Sequence, residues 1–248
     1  MLADLETLRY EERDSLAHVT LLRDRVDVRV VRELAKVSEH LEDDAADVRA
    51  VVFRGSNGTF CRGIDFKDFD PNGDFDIHGF NLWEKICARI ERLPKATVVL
   101  LEGDVIGAGV QLALVCDARL ALPSAKLQLD EVHLGFLPGM ATFRLAKYVG
   151  LGHAKRLIMR CPTIGAEEAR DLGIVDEIVT DADAGIAEAI RSFGPIHTVA
   201  VELSRRLLNE SFGTSFEDAI GHFLAAQHRS IRQTAFLETV KKQKKPRT

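Results

Sequence analysis

The chain is 248 residues long, 46% hydrophobic and 29% charged, with a formal net charge of −5. That balance suits one large globular domain, or a domain with an appendage, and excludes fibrous repeats and wholesale disorder. No apolar run approaches the roughly 18–20 residues of a membrane span. The start, Met1-Leu2-Ala3-Asp4-Leu5-Glu6, lacks the pattern of a secretory leader, and the acidic balance argues against nucleic acid as a partner. The expectation is a soluble cytoplasmic protein that binds neither membrane nor nucleic acid.

In chain order, residues 7–22 alternate as two short strands of a hairpin. Residues 27–43 carry Val28, Val30, Val31, Leu34, Val37 and Leu41 at helical spacing. Val48–Arg54 is a β-branched strand closed by Gly55-Ser56-Asn57-Gly58. A helix over about 78–93 stops before Pro94, and Thr97–Leu101 is the next strand. Leu114 to Leu122 holds another short strand. From 138 to 172 the pattern is helical, interrupted by Gly150, Gly152 and Pro162, and Gly173–Val179 reads as the last strand. Helices follow over about 183–193, 196–209 and 215–240. Strands alternating with helices, then helices alone, define an α/β class with a helical C-terminal section.

Cys61, Cys87, Cys116 and Cys161 are scattered without ligand spacing, so they read as buried thiols and no metal is expected. The basic run Lys241-Lys242-Gln243-Lys244-Lys245-Pro246-Arg247 reads as a solvated tail. Two glycine-bearing loops follow strands, 58–67 and 102–117. Glycine lets backbone approach a ligand and present N–H groups, and a helix start adds unpaired donors. Two such loops converging on one point would make an oxyanion hole. Gly107-Ala108-Gly109 alone is weak, because Leu112 replaces the third glycine of a dinucleotide fingerprint and no Gly-Lys-Ser/Thr follows. Taken alone, the loop reads rather as a tight helix–strand packing corner.

A third segment, 129–140, sets Glu131 four residues before Gly135 and ahead of Pro138-Gly139. In series, FCRGIDFKDF (60–69), GDVIGAGVQLALVCDARLAL (103–122), LDEVHLGFLPG (129–139) and GAEEARDLGIVDEIV (165–179) resemble the crotonase, or enoyl-CoA hydratase/isomerase, superfamily. The resemblance runs from about Val48 to Val179. It implies a spiral of ββα units over 1–195 and a helical trimerisation region over 196–248. A homotrimer or dimer of trimers is then expected, through a section rich in apolar residues such as Val199, Val201, Leu203, Leu207, Leu208, Phe216, Ile220, Phe223 and Leu224. It also implies an acyl-CoA or acyl-carrier thioester as substrate, with coenzyme A part of that substrate and no separate cofactor.

By position, the resemblance places the two oxyanion N–H groups at Ile64 and Ala108, carrier contacts at Arg62, Gly63, Gly107 and Gly109, and a cation for the phosphates at Lys67. Of the two glutamates of the family's hydratases, one falls on Glu131 and the other on Gln111. An amide can hold a water or a carbonyl but exchanges no proton near neutral pH. One carboxylate suffices to move a proton between carbons of an enolate, as the family's isomerases do, whereas hydration benefits from two groups. The stretch 135–140 resembles polyketide-associated decarboxylases, and 107–111 is similar to carboxymethylproline synthases, which pair a Gln with a downstream Glu.

The leading expectation is therefore double-bond isomerisation or hydration through an enolate, with Glu131 the only acid/base carboxylate of the pocket. Decarboxylation or C–C hydrolysis on the same fold is the enzymatic alternative, and a non-catalytic binding protein the alternative of another class. Asp130 reads as a cap or surface charge, Asp117 as structural, and His133 as turned away from the face of Glu131. His78 reads as a solvated loop residue, and His222 and His228 as surface positions unless a neighbouring subunit brings them to its pocket. Phe80, Trp83, Cys87 and Ile90 form a helical stripe that reads as core rather than substrate cage.

Overall fold

The structure is a computed structural model that describes residues 2, 4–67 and 77–243. It divides into two units, Met1–Gly194 and Pro195–Thr248. The first unit opens with the expected hairpin, β1 (Leu8–Arg13) and β2 (Leu16–Leu21), antiparallel in the register Leu8↔Leu21 to Arg13↔Leu16. Its two-residue turn, Asp14-Ser15, has φ of 52° and 61°. Two left-handed residues match the twist of paired strands, and Asp tolerates that region better than most. The helix α1 (Val28–Asp43) begins where Asp27 caps it, accepting the Val30 N–H at 2.8 Å. Val30, Val31, Leu34, Val37 and Leu41 form its buried stripe.

β3 (Ala50–Arg54) and β5 (Ala96–Leu101) lie side by side in a six-stranded sheet, order β1-β2-β3-β5-β7-β10, with β7 at Ala118–Ala121 and β10 at Glu177–Ile178. From β2 onward the pairs are parallel. A parallel sheet is covered on both faces, which accounts for the unbroken apolar runs Val51-Val52-Phe53 and Val98-Val99-Leu100-Leu101. Alternation sorts them. Val51, Phe53, Val99 and Leu101 enter the main core, while Val52, Val98 and Leu100 pack under Ile186 and Ala189 of α6 (Ala182–Ser192).

A second sheet was not foreseen from the sequence. It is built from β4 (Cys61–Arg62), β6 (Asp104–Ile106), β8 (Lys126–Gln128) and β9 (Ile164–Gly165). The first three are parallel and the last antiparallel. Strands of two or three residues carry no period to read. The remaining helices of this unit are α2 (Ile77–Ile90), α3 (Ala108–Ala113), α4 (Ala141–Arg160) and α5 (Ala166–Asp171). Gly150 breaks α4 with a φ of 73°, at an interruption the sequence marked. The strand expected over Gly173–Val179 shrinks to the two residues of β10, because Gly173 (φ 81°) is still turning the chain.

The second unit is helical, with α7 (Thr198–Glu210), α8 (Phe216–Ser230) and α9 (Thr234–Gln243). The single helix expected over 215–240 is two. Of the basic tail, residues 244–248 lie outside the described residues, as do 68–76 of the first loop. No helix among the described residues is long and apolar enough to cross a membrane.

Candidate active site

The small sheet positions the site. Arg62 of β4 pairs with Ile106 of β6, and Ile106 pairs with Gln128 of β8. Gly63-Ile64, Gly107-Ala108 and Leu129-Asp130-Glu131 therefore leave the carboxyl ends of three neighbouring parallel strands in register. Such ends are where open α/β sheets gather ligand groups. Gly63 and Gly107 turn the chain there with φ of 81° and 53°. Beside the first turn, Val26 N–H donates to Gly63 O (2.8 Å) and Asp65 N–H to Val26 O (2.9 Å). Backbone groups alternate along an extended chain, so the Ile64 N–H faces away from Val26. At the second turn, Gln111 N–H donates to Gly107 O (3.0 Å) as the first bond of α3. The Ala108 N–H, at the first helical position, then has no acceptor inside the helix.

Glu131 is buried on the turn after β8 rather than at a helix start. Its Oε2 has no hydrogen-bond partner among the described residues. Burial, with the charge of Asp130 adding to it, pushes its carboxyl up to about 7, against the lowering effects of backbone and of the neighbouring Gln111 amide. Gln111, also buried, accepts the Trp83 indole N–H on Oε1 at 3.1 Å. An indole can only donate, so Oε1 faces Trp83 and the NH₂ points away from it.

A cleft of about 430 Å³, including its open mouth, adjoins Gln111. Ile64, Ala108 and Gln111 border it, together with Phe80, Trp83 and Phe136. Phe136 stacks edge-on against Phe66 and lies 6.4 Å from Phe80. Glu131 is not among the residues that border the cleft. A Cβ on Gly107 would come within 2.8 Å of Glu131 Oε1, so only glycine leaves the carboxylate beside the second turn.

Several expectations need correction. Among the described residues the carboxylate that borders the cleft is Glu84, not Glu131, which lies beside the second turn. Glu84 accepts Met140 N–H (2.9 Å) and the buried Arg144 guanidinium (3.1 Å), which fix it in place. The i,i+4 spacing of Phe80 and Glu84 on α2 was the available signal. The stripe read as core holds, with Trp83, Cys87 and Ile90 in the core and Phe80 packed against it, and Phe80 and Trp83 border the cleft as well. Gly109 is a packing glycine, since a Cβ there would lie 2.9 Å from Cys61 Cβ. Arg62 and Lys67, assigned to the carrier rather than to the acyl group, are not among the residues that border the cleft. The Arg62 guanidinium is bound to Asp104 (2.8 Å) and Asp24 (3.3 Å), and its carbonyl accepts from Arg25 (3.1 Å). Lys67 is exposed, its N–H on Asp65 Oδ1 at 3.0 Å.

Other readings hold. His133, His222 and His228 are exposed, and Asp117 braces the sheet by accepting both Thr97 N–H (2.8 Å) and its hydroxyl (2.9 Å). His78 is exposed but lies on α2, not in a loop. All four cysteines are buried thiols.

A two-sheet α/β unit with a site at the ends of three short parallel strands, followed by a helical section, is the crotonase fold. The family model described as enoyl-CoA hydratase/isomerase matches residues 11–245, and the chain belongs to that family. It is 30% identical to the short-chain-enoyl-CoA hydratase of Clostridium acetobutylicum over 95% of this chain and 96% of that one. Identity to the crotonyl-CoA hydratase of Syntrophomonas wolfei is 32%, over 80% of each chain. Among solved structures, Pseudomonas aeruginosa AtuE superposes with a TM-score of 0.87 at 27% identity, covering 95% of both chains.

Proposed function

We propose that the protein moves a proton at the α carbon of an enoyl thioester, through an enolate whose oxygen is held by the N–H groups of Ile64 and Ala108. The observation that supports this most is the in-register alignment of Gly63-Ile64, Gly107-Ala108 and the turn bearing Glu131 on neighbouring strand ends. Two backbone donors at a developing oxyanion need no reorganisation during reaction, which is where such sites gain most of their rate. A carboxyl near 7 populates acid and base comparably at neutral pH, so Glu131 can take a proton and return it. The aromatic walls suit an apolar acyl group, carried by coenzyme A or a carrier protein as part of the substrate.

Isomerisation of the double bond is the favoured outcome, because Gln111 offers an amide where hydration gains from a second acid. In a thioester complex both N–H donors should lie about 2.7–3.1 Å from the carbonyl oxygen. Hydration is the second reading, favoured by Glu84 at the cleft and by the relatives' activities. The test is α-proton exchange of butyryl-CoA in D₂O, which reports enolate formation whatever follows it. Wild-type exchange that vanishes in Glu131→Gln supports the reading. No exchange, with only a melting shift on adding CoA, would leave a binding protein.

A further inference from the structure

We propose that Trp83 is a positioning residue for this chemistry: its indole N–H holds the Gln111 amide in the single orientation that presents Nε2–H to Glu131. The inference rests on the enolate reading above and goes beyond it by naming what sets the proton carrier.

A glutamine amide is nearly symmetric in shape, and its two orientations have opposite effects on a neighbouring carboxylate. With Nε2 toward Glu131 the amide donates to the carboxylate. With Oε1 toward Glu131, two acceptors face each other and the ionised form is penalised. Nothing in Gln111 itself selects between them. Trp83 does, because the bond at 3.1 Å is buried and the indole has a proton to give and no lone pair to offer. Burial matters here, since water is not at hand to satisfy a flipped amide. Gly139 completes the slot. A Cβ there would stand 2.6 Å from Gln111 Oε1 and 2.7 Å from Glu84 Oε1, so a side chain would push the amide off its bond.

Among the described residues, the charged groups around Gln111 and Glu131 are Asp130, Glu84 and Arg144. Asp130 shares the turn of Glu131 and opposes its ionisation. From α2, Glu84 approaches the Gln111 carbonyl end, tied to Arg144 of α4, which also holds Glu91. A second carboxylate on the Oε1 side adds to the need for a fixed donor there.

Trp83 is the chain's single tryptophan, so its indole N–H gives one resonance in a ¹⁵N-correlated spectrum. In the unliganded wild-type protein that resonance should titrate with a midpoint near that of Glu131, at about 7. The titration should be lost in Glu131→Gln. An indole signal that does not titrate, or one that still titrates in Glu131→Gln, overturns the proposal.

Kinetics give the second arm. In Trp83→Phe, which keeps an aromatic ring, the acid limb of the pH profile for butyryl-CoA exchange should move upward. The shift should be about one pH unit or more, the size of one lost hydrogen bond to a charged group. Gln111→Ala should move it at least as far, and the double variant no further than Gln111→Ala. An unmoved limb, or additive shifts, marks Trp83 as a packing residue only. If Glu131→Gln keeps full exchange, the enolate reading fails. If Glu131→Gln is inactive while Trp83→Phe leaves the limb in place, the positioning role alone fails.

Discussion

Glu131 ionises against its surroundings, with one carboxylate oxygen buried and unbonded, and this links activity to stability. Its folded value of about 7 lies above the ordinary 4.5, so the folded chain holds the proton more tightly than the unfolded one. The folded state is therefore favoured below pH 4.5 and loses that contribution as pH rises through about 7. The loss amounts to about 3 kcal/mol when complete. Glu131→Gln should consequently raise the melting temperature relative to wild type at pH 8 and change it little at pH 5. Equal effects at both values would mean the carboxyl is not penalised. The neighbouring glycines are tested in the same way. Gly139→Ala forces an L side chain at a φ of 45° against Gln111 and Glu84, and should cost at least tenfold in butyryl-CoA exchange. Gln111→Glu supplies the acid that hydration lacks, and crotonyl-CoA hydration should rise about tenfold or more.

At the scale of elements, α3 is pinned to β4 by Gly109, whose missing side chain lets Cys61 approach. In Gly109→Ala a Cβ would lie 3.1 Å from the Cys61 carbonyl, so α3 must lift and carry the Ala108 N–H with it. Exchange should fall by about 10- to 100-fold while the melting temperature drops only modestly, since small misplacements weigh on positioned donors. The packing corner read from this loop thus falls on Gly109, next to Ala108, to which the resemblance assigns the oxyanion donor. The long elements were legible because burial imposes period: the stripe of α1 and the runs of β3 and β5 have one cause. The small sheet was not, since Cys61–Arg62 or Lys126–Gln128 cannot show alternation, and their pairing spans 44 and 22 residues of chain. Glu131 and Gln111 were found by position in motifs. Trp83 and Glu84 were not, because which face of α2 meets the cleft depends on packing that no local pattern encodes. The division of 215–240 into α8 and α9 falls at Ile231-Arg232-Gln233, with neither Gly nor Pro to announce it.

For the whole molecule, the helical unit exposes Leu208, Phe212, Phe216, Ile220, Phe223 and Leu224. Exposed apolar surface of this extent is where self-association is expected. Light scattering at micromolar concentration should report a trimer or a dimer of trimers, and Phe216→Asp combined with Phe223→Asp should dissociate it. A strict wild-type monomer contradicts this. The central claim, that one carboxyl beside an oxyanion hole does the chemistry, is tested most directly by comparing wild type and Glu131→Gln on two substrates, 3-hexenoyl-CoA and crotonyl-CoA. The account predicts that wild type shifts the 3-hexenoyl double bond readily and hydrates crotonyl-CoA roughly 10²-fold or more slower. It also predicts that Glu131→Gln loses the isomerisation while still binding CoA. Crotonyl-CoA hydration as fast as isomerisation in wild type, or full isomerisation in Glu131→Gln, would contradict it.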